Sequence, residues 1–188
     1  MPSIPDLTDP LSDGLVSIRL AAERDIPEVL IAHQEDPHLA RALDLERPPS
    51  GAQLGRAMED APVLRAAGVA VTFTILEPGT DDCRGQIRAE RFDWEHAHAD
   101  LLLWVSPDAR GRGIGGRALA LAAGWLLDAC GLIRVQCLSS PENERAAKTA
   151  LAAGFTREGV LRAHARGPGG ARADETILSL VASDLAPR

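Results

Sequence analysis

The sequence has no tyrosine and a single lysine, and aromatic residues make up only 3% of its 188 positions. Without tyrosine, no phenolic hydroxyl can donate a proton anywhere in the chain. No apolar run reaches the roughly 20 residues that a membrane-spanning helix needs, so no membrane partner is expected. The first residues contain neither a basic nor an apolar segment, so we expect no secretory signal peptide.

Cysteine is scarce as well, with three residues at Cys83, Cys130 and Cys137. Their spacing matches no metal site, and no metal cofactor is predicted. An odd number of cysteines without a signal peptide is typical of reduced thiols in the cytoplasm. Cys130 and Cys137 lie among apolar residues and are predicted to be core residues. The net charge of −7 argues against general nucleic-acid binding and suits a cationic partner.

The bulk composition is 45% hydrophobic and 25% charged, as in an ordinary soluble globular protein. A chain of 188 residues is long enough for one domain with a full core. Residues 1–13 are rich in proline and aspartate and are predicted to form a flexible N-terminal tail. Residues 14–188 are predicted to form a single domain, because no linker or internal repeat interrupts them.

Hydrophobic periodicity and turn residues predict an alternation of strands and helices. Strands are predicted over 15–20, 69–76, 84–92, 96–105, 132–138, 159–165 and 175–181, and helices over 24–34, 52–67, 114–129 and 141–153. Ser50 is the predicted N-cap of the second helix. The order is a β-meander, then a βαβα segment, then a closing hairpin. This order predicts an α/β fold with a mixed, mostly antiparallel sheet flanked by helices.

A glycine-rich loop joins an apolar strand ending at Val105 to an Ala/Leu-rich helix. It contains Gly111, Gly113 and Gly116, with arginines before and between them. Glycine lets backbone amides approach a ligand closely, and the first amides of a helix have no partner within the helix. The helix dipole adds positive potential at the same point. The loop is therefore predicted to bind a phosphate or a pyrophosphate.

Two common nucleotide loops fit this segment poorly. A dinucleotide fingerprint has its glycines tight against the strand and an acidic residue after the next strand. Here residues 106–110 intervene, and the next predicted strand is followed by Ser139 and Ser140. A P-loop needs Gly-Lys-Ser/Thr, whereas Gly116 is followed by Arg117.

The loop does match the pattern Q/R-x-x-G-x-G/A, from Arg110 to Gly115. In this it resembles the GCN5-related N-acetyltransferases (GNAT), which hold the pyrophosphate of coenzyme A on this loop. Residues 100–107 resemble the preceding strand of the ribosomal-protein N-terminal acetyltransferase branch. Asn143, Gly154-Phe155 and residues 158–162 resemble that branch's later signature. The resemblance covers about residues 15–185.

The resemblance implies the GNAT fold and an N-acetyltransferase that uses acetyl-CoA as co-substrate. The acetyl group would pass directly to a primary amine, either a protein N-terminus or a small amine, in a ternary complex. The residues implied to contact coenzyme A are Val105, Arg110, Gly111, Arg112, Gly113, Ile114, Gly115, Gly116, Asn143 and Lys148. Arg145 is an alternative to Lys148 for the 3′-phosphate, and Asn143 has an alternative role as a helix-start residue.

The strand over 96–105 carries the candidate catalytic residues. Because side chains alternate along a strand, His96, His98 and Asp100 fall on one face. In the resembling family the position of Asp100 is usually glutamate beside the acceptor cavity. Asp100 is the first candidate for the general base, His98 the second and Glu90 the third. The alternative for Asp100 is a cross-strand ion pair, since a hairpin folded about Trp94 places Arg88 opposite it.

The chain also departs from the family pattern at the residue that protonates the leaving thiolate. The serine of the family motif would fall at Ala146, and no tyrosine can replace it. Some relatives carry a glutamate about ten residues after Phe155, where this chain offers only His164. These departures keep a second function open, a non-catalytic acyl-CoA-binding protein that has lost turnover. Trp94, at the predicted hairpin tip, is a candidate contact for the acceptor or for a homodimer.

Overall fold

The computed structural model describes residues 3–43, 45–77, 79–166 and 170–185. Its strands are β1 (Leu11–Ser12), β2 (Ser17–Leu20), β3 (Val71–Leu76), β4 (Cys83–Asp93), β5 (His98–Val105), β6 (Arg134–Ser139), β7 (Thr156–Arg166) and β8 (Arg172–Val181). They form one sheet in the order β1-β2-β3-β4-β5-β6-β8-β7. Only β5 and β6 run parallel, and all other neighbours in this sheet are antiparallel. The predicted α/β fold with a mixed, mostly antiparallel sheet is confirmed.

Helices cover both faces of the sheet. They are α1 (Ile26–Glu35), α2 (Leu39–Ala42), α3 (Gly51–Ala66), α4 (Ile114–Ala129) and α5 (Glu144–Ala152). Helix α4 packs across β2, β4, β5 and β6, whereas α1 packs on β4 and α3 on β3. Within the described ranges, no helix is both long enough and apolar enough to cross a membrane.

The two faces of β5 belong to different layers. Ala99 and Leu101 are buried in the main core together with the apolar side chains of α4. Trp104 belongs to a second cluster and packs with residues of α1 and α2, among them Ala32 and Leu39. The alternation predicted for this strand is therefore confirmed from His98 onward. Asp100 lies on the same face as Trp104, because the two positions are four residues apart.

The structure refines several predicted boundaries. Ser50 caps α3 as predicted, and its hydroxyl accepts from the amide of Gln53 at 3.3 Å. Two short elements, β1 and α2, were not predicted because two and four residues carry no readable periodicity. Helix α5 begins at Glu144 rather than at 141, because Asn143 is its N-cap. Residues 167–169, in the connection between the last two strands, lie outside the described residues.

The N-terminal segment contacts the domain. Ile4 is 3% exposed, and its amide donates to the carbonyl of Arg65 at 3.2 Å. Strand β1 adds to the edge of the sheet by pairing with β2. The flexibility predicted for residues 1–13 stays a prediction, since a contact does not measure mobility.

A buried ion pair fixes the start of α1 to the sheet. Arg19 donates two hydrogen bonds to Asp25, at 2.7 and 2.9 Å, and Thr74 donates a third at 2.6 Å. Asp25 is 2% exposed. Burial alone would raise the pKa of the Asp25 carboxyl, but the hydrogen bonds from Arg19 and Thr74 outweigh it and lower that pKa.

We expect Asp25→Asn to lower the free energy of unfolding by about 3 kcal/mol, because Arg19 keeps its buried charge and loses its bidentate partner. Asp81→Asn is the matched control, since Asp81 contacts the same arginine but its side chain is 56% exposed. That change should cost less than about 1 kcal/mol. Denaturant titration measures both values.

The stability difference between wild type and Asp25→Asn depends on pH. Folding lowers the pKa of Asp25 below 3.8, its value in the unfolded chain. The ionised carboxylate therefore contributes its full share to the free energy of unfolding above pH 3.8, and this share is lost as the pH falls through the lower pKa of the folded state. The difference between wild type and Asp25→Asn should therefore shrink as the pH falls below 3.8. Equal effects of Asp25→Asn and Asp81→Asn at neutral pH would contradict this account of the pair.

Candidate active site

Strands β5 and β6 separate halfway along their length. Their parallel pairing includes Asp100 with Gln136 and goes no further, although β5 continues to Val105 and β6 to Ser139. The outer edges of both strands stay paired, β5 with β4 and β6 with β8. Beyond Asp100 the two inner edges therefore form an open split in the sheet. Backbone N–H and C=O groups along such a split can bind an extended ligand as a strand would.

The glycine-rich loop stands at the mouth of this split, because it follows the C-terminal end of β5. Gly111 and Gly113 have φ angles of +77° and +76°, a region that favours glycine. Gly113 is the N-cap of α4 and offers no side chain, and the amide of Arg117 makes an early helical bond to its carbonyl. The first amides of α4, from Ile114 on, therefore remain donors at the positive end of the helix.

Gly115 and Gly116 have a packing role that the sequence analysis did not predict. A Cβ at Gly115 would lie 3.2 Å from the Val105 side chain and 3.3 Å from that of Thr149. A Cβ at Gly116 would lie 3.3 Å from the carbonyl oxygen of Thr149 and from the Cβ of Ala152. These glycines let the start of α4 approach both β5 and α5 closely.

Each arginine of the loop region is paired with a carboxylate from the N-terminal half of the chain. The pairs are Arg110 with Asp36 at 2.6 Å, Arg117 with Asp13 at 2.8 Å, and Arg112 with Glu77. Arg117 is the main cause of the lowered pKa of Asp13. Because the guanidinium groups already have partners, the backbone amides are the more direct phosphate donors of this loop.

Arg110 connects the loop to both β5 and α1. Its Nε donates to the carbonyl of Val105 at 2.9 Å, while Nη2 donates to Asp36, which ends α1. The second carboxylate oxygen of Asp36 accepts from the amide of His38 at 3.0 Å. The hydrogen bond from Arg110 lowers the pKa of Asp36. This arginine is therefore a structural link between the loop and the helices on the Trp104 face.

An open groove of about 590 Å³ runs beside the start of α4. It is lined by Asp13, Gly113, Gly116, Arg117, Ala120, Leu121 and Ala152. The predicted helix-start role of Asn143 is confirmed, since its side chain accepts from the amide of Ala146 at 3.1 Å. Lys148 and Arg145 are exposed on α5, which packs against α4 through Thr149.

Asp100 lies where β5 and β6 begin to separate and is 7% exposed. Gln136 donates to its Oδ1 at 2.7 Å, and Arg91 approaches its Oδ2 at 3.4 Å. The predicted ion pair with Arg88 is wrong. The structure places Glu90 opposite Asp100 and Arg88 opposite Leu102.

The register differs because β4 contains a bulge that the sequence does not reveal. The regular pairing stops at Glu90 and resumes at Asp93 opposite His98. Arg91 and Ala97 both have positive φ angles, 53° and 52°. Neither is a residue type that usually marks such a conformation, so the extra residues could not be read from the pattern.

The other two candidate bases are held by neighbours. His98 lies 3.7 Å from Asp93, and its Nδ1 is buried without a hydrogen-bond partner among the described residues. Glu90 accepts from Arg88 at 2.6 Å rather than facing His98. Trp94 donates to the carbonyl of Gly68 at 2.8 Å and packs against the main core.

Groups that could protonate a leaving thiolate are few in the described part of the chain. Burial raises the pKa of the Cys137 thiol to about 12 and that of Cys130 to about 11, which makes both poor proton donors and poor nucleophiles. His164 of β7 lies 2.6 Å from Glu175 of β8.

A family model described as an acetyltransferase (GNAT) domain matches residues 16–156, three-quarters of the chain. No curated protein sequence matches significantly. Ribosomal-protein-S5-alanine acetyltransferase from Vibrio fischeri is a similar solved structure, with a TM-score of 0.78 and 19% identity over 95% of this chain and 100% of that one.

Two further similar structures were solved with forms of coenzyme A. RimJ from Mycobacterium smegmatis, in complex with CoA-disulfide, has a TM-score of 0.75 and 20% identity over 95% of this chain and 88% of that one. Spermidine N-acetyltransferase from Vibrio cholerae, in complex with CoA and spermine, has a TM-score of 0.76 and 15% identity over 92% of this chain and 98% of that one. At these identities the likeness concerns the fold, which confirms the predicted GNAT architecture. The chain belongs to the GNAT acetyltransferase family and is by class an acyltransferase.

Proposed function

We propose that the protein is an N-acetyltransferase that transfers the acetyl group of acetyl-CoA to a primary amine in a ternary complex. The observation that carries the proposal is the split between β5 and β6 with the glycine-rich loop at its mouth. An extended pantetheine arm fits the unpaired strand edges, and a pyrophosphate fits the free amides at the start of α4.

The contacts with coenzyme A follow the direction of β5. The pyrophosphate binds the amides from Gly111 to Gly116, and the pantetheine arm lies along the backbone up to Val105. The side-chain amide of Asn143 has a nitrogen left for the pantetheine, because only its oxygen is used as the helix cap. Lys148 reaches the 3′-phosphate as an exposed cation on α5, with Arg145 as the alternative. The groove beside Arg117 offers room for the adenosine end.

The reaction is a direct aminolysis of the thioester. The amine nitrogen forms a bond to the acetyl carbon, the carbon–sulfur bond breaks, and the developing oxyanion accepts a hydrogen bond from a free amide of β5. Asp100 takes the proton of the amine, through a water if needed, and His98 is the second candidate for this role. CoA leaves as a thiolate, whose ordinary pKa near 8.5 makes it a tolerable leaving group without a dedicated acid.

The acceptor is a protein N-terminus or a small amine. The neighbouring structures include enzymes named for ribosomal-protein alanine and for spermidine, so the fold serves both acceptor types. An overall charge of −7 suits a cationic acceptor of either kind. A cytoplasmic location stays a prediction from the cysteine content.

The alternative is an acyl-CoA-binding protein without turnover. Two observations favour it: Ala146 replaces the serine that the family places there, and the chain has no tyrosine. In this case the loop and the split bind the thioester, and no acetyl group is transferred.

Incubation with acetyl-CoA and a library of amines and N-terminal peptides, with CoA release followed by a thiol reagent, separates the two functions. Release above background with at least one amine supports the acetyltransferase. Tight CoA binding by calorimetry without release for any amine would support the binding protein instead. No CoA binding at all would contradict both.

Asp13→Asn is expected to strengthen CoA binding by about two- to fivefold, the scale of one exposed charge interaction. The substitution removes a negative charge beside Arg117 and the start of α4. The asparagine oxygen can still accept from the amides of Leu15 and Val16. Calorimetric titration with CoA measures the change, and high salt should reduce it. Weaker binding at unchanged thermal stability would mean that Asp13 helps to hold the ligand.

A further inference from the structure

A chain of hydrogen bonds crosses four strands on the face of the sheet that carries Asp100. Ser179 of β8 donates to Glu158 of β7 at 2.7 Å, and Arg134 of β6 holds both oxygens of Glu158 at 2.7 and 2.6 Å. Arg134 also donates to Gln136, which donates to Asp100 of β5. The strand register explains this order, because Gln136 is level with Asp100 on one side and with Ser179 on the other.

The direction of every bond in this chain is fixed by chemistry. A guanidinium has donors only, so the Nε of Arg134, 3.0 Å away, identifies the amide atom of Gln136 beside it as the oxygen. The amide nitrogen must then face Asp100, where it donates to Oδ1 at 2.7 Å. If the amide were turned over, an N–H would face the guanidinium and an oxygen would face the carboxylate, and both contacts would be unfavourable.

The hydrogen-bond chain ends, away from Asp100, in the ion pair between Arg134 and Glu158. The hydrogen bonds of Arg134, followed by that of Ser179, lower the pKa of Glu158 to about 2. Glu158 and Arg134 therefore stay charged through neutral pH, and the bidentate geometry holds the guanidinium plane in place. Arg134 therefore stays a donor to the Gln136 oxygen at neutral pH.

We propose that Gln136 is a positioning residue for Asp100, which it holds at Oδ1 so that Oδ2 takes the proton of the acceptor amine. The inference rests on the proposed function, in which Asp100 is the base. Oδ2 has only the 3.4 Å contact with Arg91 among the described residues, and that arginine's side chain is 63% exposed, so Oδ2 is the freer oxygen. Among the described residues, further charged or titratable groups near this carboxylate include Glu90 of β4, His98 of β5, and Arg134 and Cys137 of β6.

Gln136→Leu removes the donor and keeps a side chain of similar size. We expect kcat to fall about 10- to 100-fold, the scale of one hydrogen bond to a charged group, while KM for acetyl-CoA stays within about twofold. Gln34→Leu, an exposed substitution on α1, is the control and should leave kcat unchanged. A Gln136→Leu enzyme with the wild-type kcat would overturn the proposal.

Gln136→Glu separates positioning from a purely structural role. At neutral pH the introduced carboxylate repels Asp100, so kcat falls. At lower pH the introduced group is protonated and regains a donor, so the deficit relative to wild type should shrink as the pH decreases. A deficit that is the same at all pH values would indicate that Gln136 supports only the packing of the sheet, which contradicts the proposal.

The double variant shows whether Gln136 acts through Asp100. Added to Asp100→Asn, the change Gln136→Leu should cause no further loss of kcat, because the group that it positions is already gone. Independent, multiplying losses would overturn the inference and leave the proposed function intact. A wild-type protein without turnover for any amine would overturn the proposed function, and the inference with it.

Discussion

Asp100→Asn is expected to lower kcat by about 10²- to 10⁴-fold, the usual contribution of a general base. The amine must lose a proton to attack the thioester, and Asp100 lies in the last residue pair before β5 and β6 separate. Asparagine has nearly the same shape and keeps an oxygen that Gln136 can contact, so the fold should be retained. KM for acetyl-CoA should change little, because Asp100 lies outside the glycine-rich loop.

The measurement is steady-state kinetics across pH with the best amine of the library. Wild type and Asp100→Asn should differ both in kcat and in the pH profile of kcat, because a carboxylate can accept the proton of the amine and an amide cannot. Asp128→Asn, an exposed carboxylate on α4, is the matched control and should behave as wild type. Unchanged kcat and pH dependence in Asp100→Asn would make Asp100 a structural residue and shift the role of base to His98.

Gly113→Glu should weaken CoA binding by about 100-fold or more, since a repelling charge at 4 Å costs about 4 kcal/mol at an effective dielectric constant of 20. The introduced carboxylate stands at the N-cap of α4, where the pyrophosphate is proposed to bind. The substitution also strains the backbone, because Gly113 has a φ of +76°.

Gly131→Glu separates the effect of the introduced charge on CoA binding from the effect of backbone strain on stability. Gly131 follows the other end of α4 and has a φ of +65°. A Cβ added at Gly131 would meet no atom of the described residues within 4 Å, and the same is true of Gly113. Both variants should lose about 1–2 kcal/mol of stability from the left-handed backbone. Only Gly113→Glu should lose CoA affinity in a calorimetric titration. Equal CoA affinities of the two variants would mean that the pyrophosphate does not bind at this helix end.

Local patterns predicted the loop and most of the elements, because their signals lie within short stretches of sequence. The glycines at 111 and 113 lie in a loop before α4, as the motif predicts, with positive φ angles that favour glycine, and Ser50 caps its helix. The strand alternation correctly separated Asp100 from the core-facing Leu101. Each of these features depends on neighbours in sequence, which is why the sequence could predict it.

Features that depend on pairing between distant segments were not predicted. The bulge that brings Glu90 opposite Asp100 depends on positive φ angles at Arg91 and Ala97, which neither residue type indicates. Two loop arginines pair with carboxylates that are far away in sequence. Arg110 and Asp36 are 74 positions apart, and Arg117 and Asp13 are 104 positions apart. The role proposed for Gln136 depends on the parallel pairing of β6 with β5, which places it beside Asp100.

The proposed site has two halves, one for coenzyme A and one for the acceptor. Coenzyme A binding rests on a motif, a backbone geometry and a split in the sheet that agree with one another. The proposed acceptor side consists of Asp100 and the hydrogen-bond chain through Gln136 and Arg134. In the proposed mechanism, which has no such serine or tyrosine to act as an acid, catalysis depends on the position of the base and on hydrogen bonds from the amides of β5.

The structure of the protein crystallised with CoA tests the central claim most directly. The account predicts that the pyrophosphate lies within hydrogen-bond distance of amides from Gly111 to Gly116. It also predicts that the pantetheine lies between β5 and β6 with its sulfur near Asp100. CoA bound outside this split, or with its pyrophosphate away from the start of α4, would contradict the account.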